Sequence, residues 1–98
     1  MTYNQIPGYC DFHNFYEQIS FELPDNAVVA EIGVYLGHSV AYLASCAKAQ
    51  GKVFAIHAVD TFEGSPEHRK VLGERNLFFE FAHNMKECDI EKYIIPHK

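Results

Sequence analysis

The sequence predicts an α/β fold built on parallel strands, and three observations carry that prediction. The first is Ala27–Ser39, AVVAEIGVYLGHS. A nearly continuous apolar run there suits a parallel strand covered on both faces, and it ends in a glycine turn and a helix start. The second is a further apolar stretch, Val53–Val59, closed by Asp60. The third is helical periodicity between and after these runs, as strand–helix–strand units require.

Each element follows from local chemistry. Residues 1–10 contain Pro7-Gly8, a turn signal, and are expected to be irregular. Over residues 11–20 the apolar side chains Phe12, Phe15, Tyr16 and Ile19 fall at i, i+3, i+4 and i+7, which predicts an amphipathic helix with Asp11 as N-cap. Pro24-Asp25-Asn26 punctuates the entry into a first strand over 27–33. A helix is expected from His38 to Gln50, burying Val40, Leu43, Ala44 and Ala47, with Gly51 just past its end. The second strand is expected over 52–59. Ser65-Pro66 reads as an N-cap followed by proline at the first helical position, opening a short helix to Leu72 near Gly73. A longer helix over 75–88 should turn Leu77, Phe78, Phe81 and Met85 inward. Tyr93-Ile94-Ile95 forms a short third strand, at an edge or an end because Pro96 cannot donate to a ladder. The result is βαβαβ over 25–98 after one helix, in a single domain of residues 1–98. Right-handed crossovers order its strands 3-2-1.

Composition narrows the function classes. Apolar residues make up 48% of the chain, and eight Phe with six Tyr are ample for a core. Net charge is −5 and no Lys/Arg run occurs, which argues against a nucleic-acid backbone as partner. Cys10, Cys46 and Cys88 are widely spaced and odd in number. They read as small apolar fillers in a reducing compartment, not as a disulfide framework. The histidines at 13, 38, 57, 68, 83 and 97 form no H-x-x-x-H or H-E-x-x-H pattern, so no metal site is expected. The first residues, Met1-Thr2-Tyr3-Asn4-Gln5, carry neither a basic region nor an apolar core, and no apolar run reaches the ~20 residues of a membrane span. A cytoplasmic protein without a membrane anchor is the expectation.

The glycine turn carries the chemistry. Gly33 and Gly37 stand four apart, Glu31 precedes them and Ser39 follows. Glycine lets a ligand approach the backbone at a strand end, and the following helix offers free N–H groups. These residues resemble motif I of the class I S-adenosylmethionine-dependent methyltransferases, closest to the branch written E-hydrophobic-G-x-x-x-G-x-S. Val53–Gly64, VFAIHAVDTFEG, resembles that family's second strand, with Asp60 as its terminal acid. Many members carry a further glycine where this chain has Tyr35. The resemblance covers residues 25–98 and the first half of the family's fold. It implies a Rossmann-like, three-layer half-fold, truncated relative to the family's seven-stranded sheet.

The resemblance also implies S-adenosylmethionine as cofactor, held by Glu31, Gly33, Tyr35, Gly37, Ser39, Asp60, Thr61 and Phe62. Asp60 takes the ribose hydroxyls, or else it is a capping or loop aspartate. Glu31 orients the loop or bonds the cofactor's amino group, or is a strand-end carboxylate satisfied by backbone N–H groups. Ser39 caps its helix or meets the ligand carboxylate. Tyr35 shields the sulfonium or simply packs. Thr61 and Phe62 border the adenine, or Phe62 belongs to the core. His38 and His68 lie near enough to serve as a base, and no spacing singles out a catalytic residue.

Three functions fit this pattern. One is a methyltransferase-like protein with an unidentified small-molecule acceptor. Another is a non-catalytic, dimeric remnant of that fold, pairing two copies through the free edge of strand 27–33. The third is a dinucleotide-binding domain, disfavoured because G-x-G-x-x-G is absent.

Overall fold

The computed structural model describes residues 1–8, 10–63 and 76–98. A short 3-10 turn, Tyr3–Gln5, precedes helix α1, His13–Glu22. Then come strand β1, Val28–Ile32, helix α2, His38–Ala49, and strand β2, Ala55–Val59. Helix α3, Leu77–Glu87, a 3-10 turn over Glu91–Tyr93 and strand β3, Ile94–His97, complete the described chain. The short helix expected over 65–72, with Ser65-Pro66, falls outside the described residues.

The three strands form one parallel sheet in the order β1-β2-β3. Val28 aligns with Ala55 and Ile32 with Val59, while Ile56 aligns with Ile94 and Val59 with His97. Ile56 and Ala58 are fully buried beneath α2 and α3, in one core with Val40, Leu43, Ala44, Phe81 and Met85. The opposite face is open. Val28 is 71% exposed and Ile32 83% exposed. This corrects the expectation of a first strand covered on both faces. Among the described residues the expected three layers reduce to a sheet with helices on one side, because both crossover helices share that side.

Helix α1 begins two residues later than its periodicity suggests and ends two later. Asp11 is not its cap: the N-cap position is Phe12, without a side-chain bond. The later end has a visible cause. The Lys52 ammonium donates to the carbonyls of Ser20, Phe21 and Leu23 at 2.8, 3.0 and 2.9 Å. Orphan carbonyls of a last helical turn thereby gain a cationic donor. Phe12 and Phe15 of the expected stripe are largely exposed; Tyr16 and Ser20 face inward instead.

Backbone commitments explain why β2 starts at Ala55 and not at 52. The Lys52 N–H is bound to the Ala47 carbonyl at 2.9 Å, and the Val53 N–H is committed to the Asp25 carboxylate at 2.8 Å. Helix α2 buries every residue of its expected stripe. It ends in a Schellman arrangement: Gly51, at φ 72°, donates to Lys48 and Lys52 donates to Ala47. Helix α3 is capped by Asn76, whose side chain accepts from the Phe79 N–H at 3.0 Å. Pro96 sits within β3 opposite Ala58, tolerated because β3 pairs on one side only. Cys10, Cys46 and Cys88 are free and half-buried, less enclosed than core fillers.

Candidate functional site

The chain leaves β1 at Ile32 and must reverse before α2 begins. Gly33 takes φ 84°, Tyr35 φ 52° and Gly37 φ 98°, all left-handed, and Gly37 donates to the Val34 carbonyl at 2.8 Å to close the turn. The chain leaves β2 at Val59 through Asp60, Thr61 and Phe62, the last at φ 58°. These two turns lie side by side at the carboxyl ends of parallel strands, where α/β sheets bind ligands.

Asp60 joins them. Its Oδ2 accepts the Tyr35 N–H and its Oδ1 the Phe62 N–H, each at 2.9 Å. Both donors belong to left-handed residues that carry a Cβ. One carboxylate therefore fixes two conformations that L-residues rarely adopt. Each carboxylate oxygen keeps a further lone pair for a ligand.

Glu31 organises the underside of the same turn. Its carboxylate accepts from the Tyr16 hydroxyl of α1 and from Ser39 Oγ of α2, the latter at 2.6 Å. The partners expected for it as a strand-end residue were backbone N–H groups; the observed partners are hydroxyls from two helices. Burial and the bond to Glu31 hold the Tyr16 hydroxyl protonated well above the usual tyrosine range.

Two cavities meet at Gly33. The larger, about 420 Å³, is lined by Ile32, Gly33, Val59, Asp60, Thr61 and Lys98. The smaller, about 50 Å³, lies between the N-terminal segment and the glycine turn, against Pro7, Gly8, Gly33, Val34, Tyr35, His38 and Ser39. A Cβ built on Gly33 would meet nothing within 4 Å, so this glycine borders open space. A third cavity, about 200 Å³ and mostly apolar, opens between α3 and β3 and shares no residue with the other two.

Of the residues expected at the site, Gly33, Tyr35, Ser39, Asp60 and Thr61 line the paired cavities. Gly37 is buried beside them at φ 98°, a backbone conformation that favours glycine, and a Cβ there would also crowd the Phe81 ring at 3.0 Å and displace the movable Met85 Cε at 2.4 Å. Phe62 turns into the core against the rings of Phe78 and Phe81. Glu31 lines neither cavity and acts through Ser39 and Tyr16. Ser39 bonds Glu31 and does not cap α2, whose N-cap position is Gly37. Sequence reasoning missed Gly8 and Lys98 as cavity residues. Pro7-Gly8 signalled a turn, but nothing local says where that turn docks.

His38 reaches the smaller cavity from the start of α2. Its Nδ1 donates to the Ile6 carbonyl at 3.0 Å, which leaves Nε2 to accept from His13 Nε2 at 3.1 Å. Tyr3 and Tyr42 pack around this pair and pin the N-terminal segment to α1 and α2. Among the described residues no group of three or more His, Cys, Asp or Glu side chains is placed to hold a metal ion. No described helix is long and apolar enough to cross a membrane.

No family model matches the chain, and no curated protein matches it.

Proposed function

We propose that this chain is an S-adenosylmethionine-binding, methyltransferase-like protein with a Rossmann-like half-fold. The observation that carries the reading is the pair of cavities sharing Gly33 at the ends of β1 and β2, with Asp60 on the rim. The volume of the larger suits a nucleoside-sized ligand. Adjacent ribose hydroxyls need an acceptor, and Asp60 has lone pairs left after its two backbone bonds. The open space over Gly33 suits the narrow linkage between a nucleoside and an amino-acid end.

When bound, the cofactor supplies a methyl group activated on a sulfonium. The chain's own part is to bind and orient it: Asp60 and Thr61 on one side of Gly33, Tyr35, Ser39 and His38 on the other. The methyl acceptor is a small molecule in this reading, and no residue is assigned to proton transfer.

The second reading is a non-catalytic dimer built on the same fold. The exposure of Val28 and Ile32 on β1, a strand paired on one side only, favours it. NMR titration of the labelled chain separates the ligand classes. S-adenosylhomocysteine is expected to move the amides of Gly33, Tyr35 and Thr61, and NAD to leave them in place. Shifts with NAD alone would overturn the assignment.

A further inference from the structure

Two histidines distant in sequence meet on the open face of the sheet. His57 lies on β2 and His97 on β3, and the register that aligns Val59 with His97 sets them two positions apart on neighbouring strands. Residues of one parity share a face, so both rings stand on the side away from α2 and α3. His57 Nδ1 is 2.8 Å from His97 Nε2, with the rings 5.0 Å apart and tilted by 29°.

We propose that His57 and His97 form a two-imidazole chelate for a borderline divalent metal ion of the zinc, nickel and copper class. Imidazole nitrogen is a preferred ligand of these ions. Two nitrogens bound to one tetrahedral zinc at its usual bond length stand roughly 3.3 Å apart. The observed pair needs to open by about half an ångström and to swing both lone pairs outward, a small torsional change for partly exposed rings. Metal binding displaces the proton shared between the two facing nitrogens, to solvent or to the far nitrogen of its ring, so that both rings ligate as neutral imidazoles with their protons on Nε2 of His57 and Nδ1 of His97. The surroundings help: Val28, Ala30, Ile32, Ala55, Val59 and Ile95 on the same face are apolar, and the ammonium of the adjacent Lys98 is taken up over the Phe78 ring, 4.2 Å from its centroid. The remaining coordination positions point away from the sheet and stay open to water or an added ligand. No sequence spacing announces such a site, because its two halves come from different strands.

The His13–His38 pair has a similar nitrogen separation, 3.1 Å, yet it does not suit a metal in the same way. The Tyr3 and Tyr42 rings pack around it, with centroids 4.4–5.8 Å from its own, and His38 Nδ1 is committed to the Ile6 carbonyl, so both rings are held in place by other contacts. It serves as an internal control.

Titration of the metal-free full chain with zinc ions, followed calorimetrically and by imidazole NMR, tests the proposal. One ion per chain is expected, with the His57 and His97 ring resonances moving and the thermal midpoint rising. His97→Ala, on the edge strand, is expected to weaken binding at least as much as the roughly 10–100-fold that loss of an outer-sphere partner costs. His57→Gln provides the second variant, and His83→Ala and His13→Gln should leave affinity unchanged. Absence of binding, or binding weakened by His83→Ala or His13→Gln and not by His97→Ala, would overturn the proposal.

Discussion

Among single residues, Asp60 holds the two turns in shape. It stabilises Tyr35 at φ 52° and Phe62 at φ 58° through their N–H groups. Tyr35 carries a Cβ in a left-handed backbone conformation that glycine adopts at least cost. Asp60→Asn retains one acceptor oxygen and turns an N–H donor toward another donor. It is expected to cost about 1–3 kcal/mol in chemical denaturation. The two motif glycines should separate cleanly. Gly37→Ala drives a Cβ into Met85 and Phe81 and is expected to destabilise by roughly 3 kcal/mol, from overpacking and left-handed strain together. Gly33→Ala adds a Cβ in open space and should cost only about 1 kcal/mol of strain while narrowing the ligand's approach. Tyr16 supplies a pH signature. Its folded-state proton is held more tightly than in the unfolded chain, by burial first and then by Glu31. That contribution is complete below the ordinary tyrosine range, about pH 10, and is lost as pH rises beyond it. Tyr42 shifts the same way, by burial first and then through Cys46. Stability measured against pH should therefore fall above about pH 10, and Tyr16→Phe should make that fall shallower.

Among the elements, the Lys52 side chain sets a boundary. It terminates α1 by donating to three carbonyls. Lys52→Met is expected to lower stability by about 1–3 kcal/mol and to speed amide exchange in the last turn of α1, readable by hydrogen-exchange NMR. Such a role was not legible in the sequence, since it rests on a contact across about thirty positions. The same limit hid the His57–His97 pair, the docking of Pro7-Gly8 on the glycine turn and the hydroxyl partners of Glu31. Signals that depend on neighbours along the chain were legible. The α2 stripe of Val40, Leu43, Ala44 and Ala47, the Gly51 stop and the inward face of α3 follow from helical period and glycine conformation alone. The α/β class and the parallel sheet follow from apolar runs separated by helices. Asp11 failed as a cap because the helix start is set by where His13 packs against His38 and Tyr42, not by the nearest capping residue. Burial of β1 was misjudged because an apolar run cannot report which of its faces finds a partner.

At the scale of the whole molecule, the open sheet face and the free edge of β1 are the least satisfied surfaces described. Ile32 is 83% exposed beside the larger cavity. If two copies pair along β1, sedimentation equilibrium at micromolar concentration gives a dimer, and Val28→Lys, which charges that edge strand, returns a monomer. A monodisperse monomer of the unaltered chain contradicts the pairing. Ligand binding at the paired cavities is read by calorimetry. Calorimetric titration with S-adenosylhomocysteine is expected to show saturable binding at one site per chain. Gly33→Ala, which leaves the core untouched, should weaken that binding by roughly tenfold through loss of close backbone approach. No heat of binding at millimolar ligand, or binding indifferent to Gly33→Ala, would contradict the account and leave the glycine turn as a folding element alone.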